Sequence, residues 1–129
     1  MKKKIPEIYC SISVSFSNDI DIQPIIFELN KIGILDIQIV TPKCEPIVNL
    51  DFAIIYYESF WYLSEALTKM FSKIDYCIVE LKNIITTYNG KFSIDIAFYQ
   101  YGTYPALEFE GENMKKIRFL EADISIDPY

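Results

Sequence analysis

The feature that most constrains the fold is a helical repeat between residues 60 and 90. Apolar residues follow one another there at alternating steps of four and three, which keeps them on one side of a helix. They are Leu63, Leu67, Met70, Ile74, Cys77, Leu81, Ile84 and Tyr88, and the stripe is widened by Ala66, Phe71, Ile78 and Ile85. Neither Gly nor Pro interrupts the run before Asn89-Gly90. The pattern predicts the helical layer of one small domain, packed on a sheet.

A second helix-start signal lies inside this repeat. Ser72-Lys73-Ile74-Asp75 has the form of a Ser cap followed three residues later by an acid. An unbroken helix from Leu63 to Tyr88 would be roughly 39 Å long at about 1.5 Å per residue, which is long for a domain of this size. One helix and two helices both fit the pattern, and the capping signal favours two that meet near Ser72.

Segments of alternating apolar and polar residues predict the strands of the sheet. Strands are expected at residues 9–17, 35–40, 52–58, 91–101, 107–110 and 123–127, with residues 42–50 as a connection. Short helices are expected from Pro24 to Ile32, where Gly33 ends the helix, and from Gly111 to Leu120. The order predicts an α+β two-layer sandwich, with a mostly antiparallel sheet of about five or six strands and helices on one face. It forms a single domain over residues 1–129, in which residues 1–7 are a flexible basic tail.

Composition excludes several classes of function. The chain has 129 residues, 51% of them apolar, yet no apolar run approaches the roughly 20 residues that cross a bilayer. No His is present, so Ser-His-Asp, Cys-His and HExxH sites are ruled out. The four glycines form no phosphate-binding loop. A net charge of −6 argues against nucleic acid as the ligand, because a phosphate backbone would be repelled. No cofactor or metal is predicted.

The start of the chain and its three cysteines predict a cytoplasmic protein. The basic start Met1-Lys2-Lys3-Lys4 is followed by Pro6 and Glu7 rather than by the apolar segment of a signal peptide. The three cysteines are odd in number and far apart, which is not a disulfide framework. Cys10 and Cys77 fall on apolar faces and are expected to be buried, whereas Cys44 is the one expected to be exposed.

The outward positions of the predicted strands are rich in acids. They are Ser11, Ser13, Ser15, Asp36, Gln38, Asp95, Tyr99, Glu108, Glu110, Asp123, Ser125 and Asp127. This set contains six carboxylates and no basic residue. Two interpretations are open: an ordinary solvated face whose acids serve solubility, or a docking face for a basic protein. The residues predicted to bind such a partner are Asp36, Glu58, Trp61, Asp95, Tyr99, Tyr101, Tyr104, Glu108, Glu110 and Asp123.

Three parts of the chain together resemble a bacterial family, the domain-of-unknown-function family 4279. They are Asn18-Asp19-Ile20-Asp21-Ile22-Gln23-Pro24 with the short helix ending at Gly33-Ile34, Trp61 with the Leu-rich helical pair, and the closing Asp127-Pro128-Tyr129. The resemblance covers nearly the whole chain, although the family commonly has Gly at the position of Asn18 and an aliphatic residue at that of Pro128. It implies a small bacterial cytoplasmic α+β domain and carries over no catalytic residue.

Three hypotheses of function follow. The first is a non-enzymatic acidic binding protein, in bacteria an immunity protein that neutralises a cognate toxin by masking it. The second is an enzyme that uses paired carboxylates, such as Glu108 with Glu110 or Asp95 with Asp36, as acid and base or as Mg²⁺ or Ca²⁺ ligands. The third is a homo-oligomeric regulatory module, a homodimer for example, that buries Tyr56, Tyr57, Phe60 and Trp61 against a second copy.

Overall fold

A computed structural model describes residues 7–17, 19–41, 47–51, 56–59, 62–99, 108–109 and 111–128. Within these ranges the strands are β1 (Glu7–Ser17), β2 (Gln38–Val40), β3 (Ile47–Asp51), β4 (Tyr56–Ser59), β5 (Lys91–Tyr99) and β6 (Asp123–Pro128). The helices are α1 (Gln23–Lys31), α2 (Leu63–Ser72), α3 (Ile78–Thr87) and α4 (Gly111–Leu120), and a 3₁₀ turn (Asp75–Cys77) joins α2 to α3.

The longest strand, β1, lies at the centre of the sheet. The strand order is β2-β3-β1-β5-β6, and β4 pairs with β1 outside this path. All pairs are antiparallel except β5 with β6, which α4 connects as a parallel crossover. The mostly antiparallel α+β fold predicted from the sequence is confirmed.

Two short strands share one edge of β1. β5 occupies the other edge along residues 7–15, so β3 and β4 must both lie on the side away from β5. β3 pairs with residues 13–17 of β1 and β4 with residues 7–10. The register shifts by two residues between them, because Ser13 lies opposite Asp51 while Cys10 lies opposite Tyr56. A shift of two leaves the alternation of faces unchanged.

One face of the sheet forms the floor of the core. Alternate residues of β1 and β5 are at most 4% exposed there: Ile8, Cys10, Ile12, Val14, Phe16, Phe92, Ile94, Ile96 and Phe98. Every helix adds buried apolar side chains to the same cluster, including Ile25 of α1, Leu67 of α2, Leu81 of α3 and Ile117 of α4. The four helices therefore lie over this inner face, and the two-layer arrangement follows.

The predicted helical layer is two helices, as the length argument favoured. The capping interpretation of Ser72 is wrong, however, because Ser72 ends α2 and its Oγ donates a hydrogen bond to the carbonyl oxygen of Lys69 at 2.6 Å. Ile74 and Cys77 remain buried within the turn, at 1% and 3% exposure. The apolar repeat thus continues through the break because the turn still faces the core.

Several predicted boundaries are wrong. Residues 47–50 were expected to be connection but belong to β3, whose Leu50 is buried opposite Val14. Of the predicted strand 52–58, residues 56–58 belong to β4, which continues to Ser59, and residues 52–55 lie outside the described ranges. The predicted strand 35–40 contracts to β2. Glu7 is the first residue of β1 rather than part of a tail, because it pairs with Tyr99 and Ser59.

The predicted strand at residues 107–110 is also wrong where the structure describes it. Glu108 and Phe109 lie outside any strand, and α4 begins at Gly111. Phe109 is partly buried and packs against the core cluster from this position. Its alternation with acids reflects one aromatic anchor at the entry to α4, and not a strand with two faces.

The C-terminus of α3 is closed by Asn89 and Gly90 in different ways. Asn89 takes the left-handed conformation, with a φ of 57°, and the amide of Gly90 donates a hydrogen bond to the Ile85 carbonyl at 2.9 Å. Position 90 requires glycine because its neighbours leave no room for a Cβ atom. A Cβ there would lie 2.8 Å from Cγ2 of Ile85 and would also collide with the ring of Phe16.

We expect Gly90→Ala to destabilise the fold by about 1–3 kcal/mol, because Phe16 and Ile85 are both buried and must move to admit a methyl group. Thermal and urea denaturation followed by circular dichroism would measure the change. Gly111→Ala is the matched control, since no atom lies within 4 Å of a Cβ at Gly111. Equal stabilities for the two variants would show that the close packing of Phe16 and Ile85 around Gly90 does not affect stability.

A buried amide joins α4 to α2. Asn113 is 1% exposed, and its Nδ2 donates hydrogen bonds to the carbonyl oxygen of Ser64 at 3.2 Å and to Oγ1 of Thr68 at 3.3 Å. Because a buried amide needs partners, these bonds fix how α4 is placed over α2.

Replacing Asn113 by Ala removes these bonds and leaves a small cavity, so we expect a loss of about 1–3 kcal/mol in the free energy of unfolding. Urea denaturation would measure it. Asn83→Ala, at an exposed position on α3, should change stability by less than about 0.5 kcal/mol. A stability of Asn113→Ala equal to that of Asn83→Ala would contradict the role given to this amide.

Candidate protein-binding face

The side of the sheet away from the helices carries Asp95 and Asp123 from the predicted binding residues, and we call it the outer face. It is formed by the positions that alternate with the core residues. The register places on it Glu7, Tyr9, Ser11, Ser13, Ser15, Ser17, Gln38, Val40, Ile47, Asn49, Asp51, Tyr57, Ser59, Lys91, Ser93, Asp95, Ala97, Tyr99, Asp123, Ser125 and Asp127. The buried apolar residues of the four described helices belong to the core cluster on the opposite face. Small side chains line its centre, where Ser13 and Ser93 lie opposite each other on β1 and β5.

Asp95 lies at the centre of this face. Its Oδ2 accepts a hydrogen bond from Oγ of Ser13 and its Oδ1 one from Oγ of Ser93, both at 3.3 Å. The two hydroxyls hold the carboxylate from two strands. Since each carboxylate oxygen has two acceptor sites, both oxygens retain acceptor capacity for an external donor. Asp95 is therefore a positioned, half-buried acceptor in a field of small hydroxyl side chains.

The expectation that the outward set contains no basic residue is wrong. Lys91 shares the face of Ser93 and Asp95, and its Nζ lies 3.3 Å from Oδ2 of Asp123. Both side chains are about two-thirds exposed, at 62% and 68%. Ion pairs this exposed contribute at most about 1 kcal/mol, so an incoming cation can compete with Lys91 for Asp123.

The outer face nevertheless keeps an excess of negative charge. Among the described residues, the register places the acids Glu7, Asp51, Asp95, Asp123 and Asp127 on it, against Lys91 alone, which leaves a net charge of −4 from five minus one. A shallow concavity of about 270 Å³ opens between the strands, lined mainly by Ser13, Ser15, Asn49, Lys91, Ser93, Asp95 and Asp123. Within the described ranges, no group of three Asp, Glu or Cys side chains is placed to hold a metal ion.

The structure brings together only some of the predicted site residues. Asp95 and Asp123 lie on neighbouring strands of the outer face. Asp36 is exposed just before β2, three strands away from β5, which is about 14 Å at roughly 4.8 Å per strand. The proposed pairing of Asp95 with Asp36 as acid and base therefore fails. The pairing of Glu108 with Glu110 loses its basis as well, because Glu108 lies outside any strand.

The remaining predicted site residues are placed only in part. In the register, Glu58 lies opposite Ile8 and Tyr99 opposite Glu7. Trp61, Tyr101, Tyr104 and Glu110 lie outside the described residues. Of the residues that the structure adds, Lys91 could have been found from its even spacing to Ser93 and Asp95. Glu7 was missed because the basic start of the chain suggested a longer tail.

The described thiols are structural. Cys10 and Cys77 are buried at 0% and 3% exposure, as predicted, and Cys44 lies outside the described residues. Burial raises the pKa of Cys10 from its ordinary value of 9.0 to about 12. Burial also raises the pKa of Cys77, although a hydrogen bond with Tyr76 acts in the opposite direction. Neither thiol is a thiolate nucleophile near neutral pH.

Comparison with known proteins identifies no relative of this chain. No family model matches the chain, and no curated protein or solved structure matches it either. The resemblance to the domain-of-unknown-function family 4279 therefore stays a prediction. In the part of the chain that the structure describes, no helix has the length and apolar character required to span a membrane.

The raised pKa of Cys10 predicts a pH dependence of stability. Between pH 9 and about 12 the folded state keeps the thiol proton that the unfolded chain loses, so this contribution is complete below pH 9 and is lost as the pH rises. The free energy of unfolding of the wild type, relative to Cys10→Ala, should fall by up to about 1.4 kcal/mol per pH unit above pH 9. Urea denaturation at pH 8 to 10.5 would measure it, and a constant difference would contradict the assignment.

Proposed function

We propose that this chain is a non-enzymatic binding protein whose outer face binds a basic protein. The observation that supports the proposal is the excess of carboxylates on the sheet face opposite the core cluster to which the four described helices contribute. Serine side chains at the centre of that face project little, so a partner surface can approach the sheet closely. Asp95 is positioned by Ser13 and Ser93, which favours directed hydrogen bonds from Lys or Arg over a diffuse charge effect.

The charge distribution suits fast capture of a cationic partner. A chain with a net charge of −6 and a net −4 on one face attracts a positive surface before contact, which raises the association rate. Once bound, a partner cation can replace Lys91 at Asp123, because the existing pair is exposed and weak. The same face therefore provides long-range attraction and short-range pairing.

An immunity protein is the form of this function that fits a small bacterial cytoplasmic domain. An acidic face of this kind would mask the basic cleft of a toxin, a nuclease for example, and so inhibit it. The family resemblance supports a bacterial cytoplasmic origin, and the outer face supplies the acidic surface. The gene next to the one encoding this chain would then encode the toxin.

A paired-carboxylate enzyme has less support. Asp36 precedes the edge strand β2, which is three strands away from β5 and its Asp95. The homo-oligomer hypothesis depends on Phe60 and Trp61, outside the described residues, and on Tyr56 and Tyr57, for which only the backbone pairing with β1 is described. Neither alternative has a described contact in its favour.

The proposal is tested by affinity capture from cells of the source organism with the wild-type chain and with Asp95→Asn/Asp123→Asn. We expect the wild type to capture a protein with a pI above about 9. With that partner purified, association should be about tenfold slower for the double variant at low salt, and the difference should shrink as salt screens it. Stopped-flow mixing at several salt concentrations would measure both effects.

The matched control is Glu65→Gln/Glu80→Gln, which removes the same charge from exposed positions of α2 and α3 in the helical layer. It should retain most of the wild-type association rate. Equal losses for the two double variants would show a general effect of net charge and would overturn the assignment to the outer face. Co-expression with the toxic product of the neighbouring gene would then test neutralisation: survival of the cells supports immunity, and continued toxicity contradicts it.

A further inference from the structure

The last strand of the sheet leaves apolar surface uncovered. Ile124 and Ile126 of β6 lie opposite Ile94 and Ile96 of β5 in the register and share their face. The β5 pair is buried, at 0% and 1% exposure, whereas both isoleucines of β6 are 39% exposed. The helical layer therefore does not cover β6. The two partly exposed isoleucines form the edge of the described core.

The backbone of β6 is also open on one side. β6 is the terminal strand of the described sheet, and among the described residues its only strand partner is β5. Its outer-face positions hold Asp123 and Asp127, both exposed. One edge thus offers main-chain hydrogen-bonding groups, apolar side chains on one face and carboxylates on the other.

A second copy of this chain is a poor occupant of this edge. Two β6 strands paired antiparallel about Ser125 would place Ile124 opposite Ile126, which is favourable. The same register places Asp123 opposite Asp127 twice, and like charges directly opposite each other destabilise a strand pair. Acids at an edge are a common protection against self-pairing. Charge complementarity instead favours a strand that carries cations where β6 carries acids.

We propose that β6 is the docking edge for one extended segment of the basic partner, in which Lys or Arg alternates with apolar residues. The inference rests on the proposed function and specifies how the partner is held. The segment would continue the sheet beyond β6, with its cations beside Asp123 and Asp127 and its apolar side chains over Ile124 and Ile126. β6 has six residues, about 20 Å at roughly 3.3 Å per residue, which accommodates a partner strand of about six residues.

The opposite edge of the sheet provides an internal comparison. β2 is also a terminal strand with exposed apolar side chains, since Ile39 is 49% and Val40 is 40% exposed. It has only three residues, Gln38 to Val40, and none of them is charged. A segment that recognised any open strand edge would bind both, whereas one that requires alternating acids would select β6.

The experiment uses the full chain and two synthetic peptides with capped ends and identical composition. One alternates, Lys-Val-Lys-Val-Lys-Val, and the other is blocked, Lys-Lys-Lys-Val-Val-Val. We expect the alternating peptide to bind at least about tenfold more tightly by calorimetry. Hydrogen exchange should show new protection of amides in β6 and none in β2. Asp127→Asn should weaken the alternating peptide about threefold to fivefold, while Asp36→Asn, an equal charge change beside β2, should not.

Each other outcome overturns the inference. Equal affinity for the two peptides, protection in β2, or no binding of either peptide would each remove strand addition at β6. The Asp127→Asn variant could instead form concentration-dependent dimers with protected β6 amides, while its peptide binding stays unchanged. That result would show that the acids only prevent self-pairing. If capture of the basic partner still depends on Asp95 and Asp123, the proposed function survives and only the docking edge fails; if it does not, the proposed function fails separately.

Discussion

The alternation of β1 is the constraint on which the rest of the structure depends. Its odd-numbered positions from Ser11 to Ser15 are serines and its even-numbered positions from Ile8 to Phe16 are apolar, so one strand defines both faces of the sheet. Helices can bury only the apolar side, and a one-residue slip of register would exchange the two faces. The position of β1 between β5 on one edge and β3 with β4 on the other extends that division across the sheet.

Local sequence patterns predicted the helices and strands whose buried residues recur periodically. They gave a wrong prediction where a single side chain packs against the core. β5 and β6 were found with the correct faces, and α2 and α3 were found because their buried positions repeat every three or four residues. Phe109 gave a false strand, since one anchoring aromatic between acids resembles alternation. β3 was missed because the prolines before it suggested a loop, and its pairing with β1 is a long-range contact that no local window contains.

The candidate site was predictable as a face and less so as a set of residues. Face membership depends on the strand alone, so the sequence was sufficient to place Asp95 and Asp123 on the outer face. Proximity depends on strand order, and no local pattern separates Asp36, at the β2 edge, from the acids of β5 and β6. The serine contacts of Asp95 likewise arise from the β1–β5 register, because Ser13 and Asp95 are 82 residues apart in the sequence. The sequence predicts that the face is acidic, but the strand register determines which side chains contact each acid.

The pairing of β1 with β5 also bears on how the chain is made. Ser15 pairs with Lys91, so the central strand is synthesised 76 residues before its longest partner. A nascent chain that ends before Lys91 has Ile8 to Phe16 without that partner on one edge, and non-local pairing of this kind folds slowly. β6 comes later still and reaches its place only by a parallel crossover through α4. A polypeptide of this topology completes its sheet only once β6 has been synthesised, and until then its unpaired strand edges favour aggregation.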